Sequence, residues 1–123
     1  MKRIILDTNA LMAVGEFKID VFSEIEKIYS FPYKFYVLQG TLNELEKIQK
    51  EQRGKFVRAA KLALALLKAK KVEIIAEEGY VDELLVKHSK EGNLILTQDV
   101  ALKKKLQKPY FTIRQKRRVI MIY

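Results

Sequence analysis

Four short apolar runs divide this chain, and polar residues cut each one off before it can grow into a helix. Residues 3–6 stop at Asp7-Thr8-Asn9, and residues 35–38 stop at Gln39-Gly40. Residues 72–75 give way to Glu78-Gly79-Tyr80, and residues 93–97 to Gln98-Asp99. Runs this short, rich in Ile, Leu and Val, read as buried strands. Between them lie stretches with helical periodicity. Val21, Phe22, Ile25, Ile28 and Tyr29 share one face up to Pro32, which ends that helix. Residues 55–70 are rich in Ala, Leu and Lys and read as the strongest helix. Val81, Leu84, Leu85 and His88 mark a helix over 81–91, stopped by Gly92-Asn93. Strands that alternate with helices require right-handed crossovers and a parallel sheet covered on both faces. The fold class expected is therefore α/β: a three-layer α/β/α sandwich around a central, mostly parallel twisted sheet, as one domain over 1–123.

Local signals fill in the remaining elements. Residues 10–14 form a helical turn closed by Gly15. Thr41-Leu-Asn-Glu44 has the form of a capping box, with a hydroxyl first and Glu three residues later, ahead of Leu42, Leu45 and Ile48. Asp99 opens a helix through Leu106. Residues 109–113 are a fifth strand and 119–123 a last, edge strand.

Several chemistries are excluded. The five glycines are isolated, so there is no P-loop and no dinucleotide fingerprint. One histidine permits neither a zinc-protease motif nor a two-histidine ribonuclease site, and His88 falls on the inner face of its helix, where packing is the simpler role. There is no nucleophile elbow. With no Cys there is no disulfide, thiolate metal site or Cys nucleophile, which fits a reducing compartment and an expected cytoplasmic location. No apolar run reaches the roughly 18–20 residues of a membrane span, and Asp7 follows the start too soon for a signal peptide. The expectation is no membrane association.

In a parallel sheet, ligands bind beyond the carboxyl ends of the strands. Each of the first four strands sends an acid to that edge: Asp7, Glu44, Asp82 and Asp99. Each has a plain structural explanation: Asp7 and Asp99 as helix N-caps, Glu44 as half of the capping box, Asp82 as a partner for a helix dipole. Together they repel one another unless a cation is present. Oxygen donors without Cys or His suit a hard ion, Mg²⁺ or Mn²⁺.

The formal net charge is +9. By segment it is −2 over 1–46, +8 over 47–71, −5 over 72–99 and +8 over 100–123. All four acids lie in the negative segments. Lys47, Lys50, Arg53, Lys55 and Arg58, with Lys103, Lys104, Lys105, Arg114 and Arg117, form basic flanks able to hold the phosphates of a nucleic acid. Tyr33, Phe35, Tyr36, Tyr110 and Phe111 are read first as core and, where exposed, as stacking faces for unpaired bases.

Residues 4–11, Ile-Ile-Leu-Asp7-Thr8-Asn9-Ala-Leu, resemble the opening signature of PIN-domain ribonucleases. Thr41-Leu-Asn-Glu44-Leu, Tyr80-Val-Asp82-Glu83-Leu-Leu and Leu94-Ile-Leu-Thr97-Gln98-Asp99 resemble that family's later acidic motifs, in order, over nearly the whole chain. The likeness is greatest to short archaeal members of the VapC-like and rRNA-processing branch. It implies an endoribonuclease that hydrolyses phosphodiester bonds of single-stranded or looped RNA with Mg²⁺ or Mn²⁺ held by Asp7, Glu44, Asp82 and Asp99. It implies that Asn9 and Thr97 orient the acids or the attacking water, and that the products carry 5′-phosphate and 3′-hydroxyl ends. It further implies RNA as partner, with a small antitoxin protein or a ribosomal precursor particle, and family members often dimerise. Two positions depart from the pattern. The third motif reads Asp82-Glu83 where two aspartates are usual, leaving the ligand of that pair open. Gln98 replaces an Asn. A second reading is a non-catalytic RNA-binding assembly factor that keeps the fold. A third, a phospho-receiver domain, lacks the paired acids after the first strand and the lysine after the last.

Overall fold

The computed structural model describes residues 1–123. Its elements are β1 (Lys2–Leu6), α1 (Thr8–Phe17), α2 (Val21–Ile28), β2 (Tyr33–Leu38), α3 (Gln39–Glu51), α4 (Lys55–Ala69), β3 (Glu73–Ile75), α5 (Val81–Lys90), β4 (Leu94–Leu96), α6 (Val100–Lys103), β5 (Tyr110–Arg114) and β6 (Arg118–Ile122). The strands form one sheet in the order β3-β2-β1-β4-β5-β6. β1 to β5 are parallel, and β6 pairs antiparallel with β5, with Phe111 opposite Met121. No helix is long and apolar enough to cross a membrane.

Strand alternation divides the core. Ile4 and Leu6 of β1, with Leu94 and Leu96 of β4, pack under α1, α2, α3 and α4, where 22 buried apolar residues gather. Ile5 and Ile95 point the other way, into a smaller group of seven with Leu85 and Leu102 of α5 and α6. The sandwich is therefore uneven, with four helices on one face and two on the other.

The heavier face is closed by a main-chain approach. A Cβ placed on Gly15 would lie 2.6 Å from Ala59 Cα, so only glycine lets α1 and α4 touch here. Gly15 thus lies inside α1 and does not close it, contrary to the expectation of a short turn. The helix runs on to Phe17 and ends at Lys18, which takes the left-handed conformation. Two other local expectations are corrected. There is no capping box at Thr41: α3 starts at Gln39 with Leu38 as its uncapped N-cap, so Thr41 and Glu44 sit inside the helix and the Thr41 hydroxyl is buried without a partner. Glycine and glutamine, read as a stop, instead begin the helix because β2 runs into α3 with no intervening loop. The helix expected over 99–106 is a single turn, with Leu106 in the irregular segment after it.

The five aromatics expected as core or as stacking faces serve the interior or the sheet, and none lines the cleft that holds Asp7, Glu44, Asp82 and Asp99. Phe111 is fully buried and Tyr110 nearly so. Tyr33 and Phe35 join Phe22 and Tyr29 in edge-to-face contacts against the larger core, and Tyr36 lies under the Arg3 guanidinium.

Candidate functional site

The strand order reverses direction at β1, which lies between β2 and β4. This switch point opens a crevice at the carboxyl edge. Asp7 leaves β1 there and Asp99 follows β4. Glu44 arrives on the first turns of α3 and Asp82 on the first turn of α5. All four carboxylates line one cleft of about 540 Å³, together with Asn9, Thr8 and Gln98. Glu83 does not line it, so of the adjacent acids at 82 and 83 only Asp82 faces the cleft.

Asp7 is the most buried of the four, at 4 % exposure. One oxygen accepts from the Thr8 N–H at 2.8 Å, capping α1, and the other accepts from the Thr97 hydroxyl at 2.7 Å. Burial pushes its carboxyl up to about 6. The Thr97 and Thr8 hydrogen bonds oppose that rise, and the negative charges of Asp82 and Glu44 add to it. Thr97 Oγ1 also accepts from the Asp99 N–H at 3.1 Å, and Asp99 Oδ1 accepts from the Leu102 N–H at 3.0 Å, capping α6. Asn9 Oδ1 accepts from the Gln98 N–H at 2.9 Å. The capping roles and the convergence of the acids therefore coexist: capping fixes how Asp7 and Asp99 are held at the cleft.

Gln98 has a separate task. Its Oε1 accepts from the Ile113 N–H at 2.9 Å and the Thr112 hydroxyl at 3.1 Å, tying the end of β4 to β5. The position reads as a tolerated replacement in sequence, and in the structure its side-chain oxygen is spent on the scaffold.

The donor set fits a hard divalent ion. All four groups are carboxylates, and none is ion-paired with a lysine, arginine or histidine. The Thr8 hydroxyl beside Asp7 is buried without a partner. No three of the acids are gathered closely enough to hold one ion among them. Mg²⁺ keeps several waters and binds directly through only one or two carboxylates, so it does not require three of them to converge.

The basic residues divide. Lys55 and Arg58 line a hollow of about 360 Å³ that shares Glu16 and Phe17 with the acidic cleft. Lys103 is half-buried, and that burial lowers its ammonium pKa against the pull of nearby Asp99. Lys47 is spent on a surface contact with Glu51. Lys50 and Arg53 are exposed at the end of α3, and Lys104 and Lys105 after α6, while Arg114 and Arg117 sit at the β5–β6 turn; none of these lines the cleft.

Sequence reasoning missed several cleft residues: Thr8, Met12, Ala13, Glu16, Phe17, Ile48 and Phe56. The signal for part of this set was helical spacing. Asn9, Met12, Ala13 and Glu16 form one stripe of α1 once the helix is started at Thr8. His88 is packed, as expected: its Nε2 lies 2.6 Å from Glu77 Oε1, anchoring the segment before α5.

Comparison with known proteins identifies the family. Residues 4–118 match the family model described as a PIN like domain. The chain is 33 % identical over 124 residues to Ribonuclease VapC4 of Methanocaldococcus jannaschii, covering 95 % of this chain and 94 % of that protein. It is 31 % identical over 121 residues to Ribonuclease VapC9 of Archaeoglobus fulgidus, covering 95 % and 87 %. Among solved structures, the PIN domain endonuclease Utp24 superposes with a TM-score of 0.74 at 20 % identity over 97 % of this chain and 90 % of that one. A chain of VapBC-1 from nontypeable Haemophilus influenzae gives 0.52 at 13 % identity over 84 % and 91 %. The family model spans most of the chain and both relatives exceed 30 % identity over nearly all of it, and the chain belongs to the PIN-like domain family.

Proposed function

We propose that this protein is an endoribonuclease that hydrolyses phosphodiester bonds of single-stranded or looped RNA with Mg²⁺ or Mn²⁺. The observation that carries the reading is the cleft itself: four carboxylates from four separate segments line it, and no cationic side chain does. Folding tolerates such repulsion where an ion repays it. The two VapC ribonucleases, alike over nearly their full lengths, support RNA as substrate and a VapC-type role with a small inhibitory protein as partner.

Asp7, Glu44, Asp82 and Asp99 would hold the ion, directly or through water. When bound, the ion acidifies a water and neutralises charge developing on the phosphoryl oxygens. Thr97 and the Thr8 N–H hold the Asp7 carboxylate in one orientation. The Asn9 oxygen is occupied by the Gln98 N–H, which leaves the Asn9 NH₂ group to donate to a phosphate oxygen. Lys55 and Arg58, beyond the acids, attract the flanking phosphates that the carboxylates repel.

Incubation with a labelled, structured RNA tests this. Cleavage is expected with Mn²⁺ or Mg²⁺, none in EDTA, and a loss of at least about a hundredfold in Asp7→Asn, comparable to removing a principal charge-stabilising group. Cleavage in EDTA, or full activity in Asp7→Asn, overturns the mechanism. RNA binding without cleavage under any metal favours the non-catalytic assembly factor.

A further inference from the structure

Four apolar side chains, Met12, Phe17, Ile48 and Phe56, line the cleft together with the carboxylates, Glu16 standing next to Phe17 in the chain. Phe56 is 42 % exposed, so part of its ring is open to a ligand. Positive charge lies beside it. Lys55 Nζ is 5.4 Å from the Phe56 ring centre, and Lys116 Nζ is 5.0 Å from that of Phe17. Beyond Phe17 the cleft continues into the hollow of Lys55 and Arg58. The fold therefore places an aromatic surface, then ammonium and guanidinium groups, beside the cleft that the carboxylates line.

We infer that Phe56 with Phe17, and the adjoining Lys55–Arg58 hollow, form a nucleotide subsite: an unpaired base of the RNA stacks on Phe56 while the phosphate next to it lies between Lys55 and Arg58. The inference rests on the nuclease reading above and names how the substrate is gripped beside the cut. The base must be unpaired, because a base inside a duplex has both faces covered by its neighbours. The phenyl rings offer no hydrogen bond to a base edge, so the subsite accepts any base. Glu16 lines both hollows, and the charges of Lys55 and Arg58 offset its repulsion of the phosphate.

The test uses single-stranded RNA oligonucleotides in which one abasic nucleotide is moved along the strand. Binding is followed by fluorescence anisotropy in the Asp7→Asn background, which keeps the RNA whole. At one position the abasic nucleotide is expected to weaken binding about tenfold, within the range of a base–aromatic stack. Adding Phe56→Leu should weaken binding of the intact strand by a similar factor and erase the abasic effect, whereas Phe56→Tyr should preserve both. Lys55→Ala and Arg58→Ala should each lower the salt dependence of binding by about one phosphate contact. An abasic penalty that persists in Phe56→Leu, or unchanged binding in that variant, overturns the subsite. So does a Phe56→Leu effect seen only on self-association, which assigns the ring to contact with a second copy. Wild-type protein that binds these strands but cuts none defeats the nuclease reading while the anisotropy still decides the subsite.

Discussion

The Thr97 hydroxyl donates to Asp7 Oδ2 at 2.7 Å, joining the end of β4 to the end of β1 across 90 positions of sequence. Asp7 is pushed up to about 6 even with this bond in place, because burial outweighs the two hydrogen bonds that favour its charged form. Removing the hydroxyl raises it further. Thr97→Val should therefore move the acid limb of the cleavage profile toward alkaline pH by about one unit, since a hydrogen bond to a charged group contributes roughly 1.5–3 kcal/mol. The loss in rate should be about fivefold at pH 6 and slight at pH 8, and Thr97→Ser should restore the wild-type profile. An unshifted limb would show that Asp7 does not govern it.

The same burial makes Asp7 a stability cost in the absence of metal. Its folded value, about 6, exceeds the ordinary 3.8, so the folded state holds the proton more tightly than the unfolded one. The contribution to stability is full below pH 3.8, is lost as pH rises toward 6, and stays lost above. Two units correspond to about 3 kcal/mol as an upper bound. In EDTA at pH 7.5, Asp7→Asn should be more stable than wild type by about 1–3 kcal/mol in urea denaturation, with the gap closing near pH 4. Adding Mn²⁺ should raise the wild-type melting temperature and leave Asp7→Asn nearly unchanged.

Gln98 faces the cleft, yet its oxygen serves the sheet. Gln98→Ala leaves the buried Ile113 N–H without that acceptor, while the Thr112 hydroxyl keeps its bond to the Thr97 carbonyl at 2.9 Å. The expected loss is about 1–3 kcal/mol of folding stability, the cost of an unsatisfied buried donor. Chemical denaturation measures it. A change under 0.5 kcal/mol, the usual scale of a surface substitution, would assign the oxygen no structural role.

Gly40 packs against Val81 where the helices that carry Glu44 and Asp82 begin. A Cβ there would lie 2.7 Å from Val81 Cγ2, at the joint where α3 and α5 begin. Gly40→Ala gains about 1 kcal/mol in helix propensity and loses about 1–3 kcal/mol to overpacking. Net stability should change little. Cleavage should fall several-fold, because the displaced helix ends carry two of the acids. Pairing it with Val81→Ala should restore activity, and a Gly40→Ala enzyme with wild-type rates would detach this joint from the site.

The alternation of short apolar runs with helices was enough to read the sheet, its two covered faces and the edge at which the acids emerge. Which acid of Asp82 and Glu83 faces the cleft was not legible, because both fit the first turn of α5 and only the direction of that helix separates them. The capping box at Thr41 misled because β2 passes straight into α3, leaving no turn for the hydroxyl to cap. Phe17 and Phe56 were missed for a different reason. They lie 39 positions apart on two helices, and nothing local marks a phenyl ring as exposed; their meeting at the cleft depends on how α1 crosses α4. The aromatic pairs visible by proximity in sequence, Tyr33 with Phe35 and Tyr110 with Phe111, serve the interior or the sheet instead.

The contact of Gly15 with Ala59 gives the cleft a mechanical character. Asn9, Met12 and Glu16 ride on one helix and Phe56 on the other, and at the closest approach only the Ala59 methyl stands beside the two main chains, with no long side chain to act as a spacer. The two helices that line the cleft are thus joined tightly at their root. On the nuclease reading, the bending needed to bring a phosphate to Asp7 then falls on the nucleic acid.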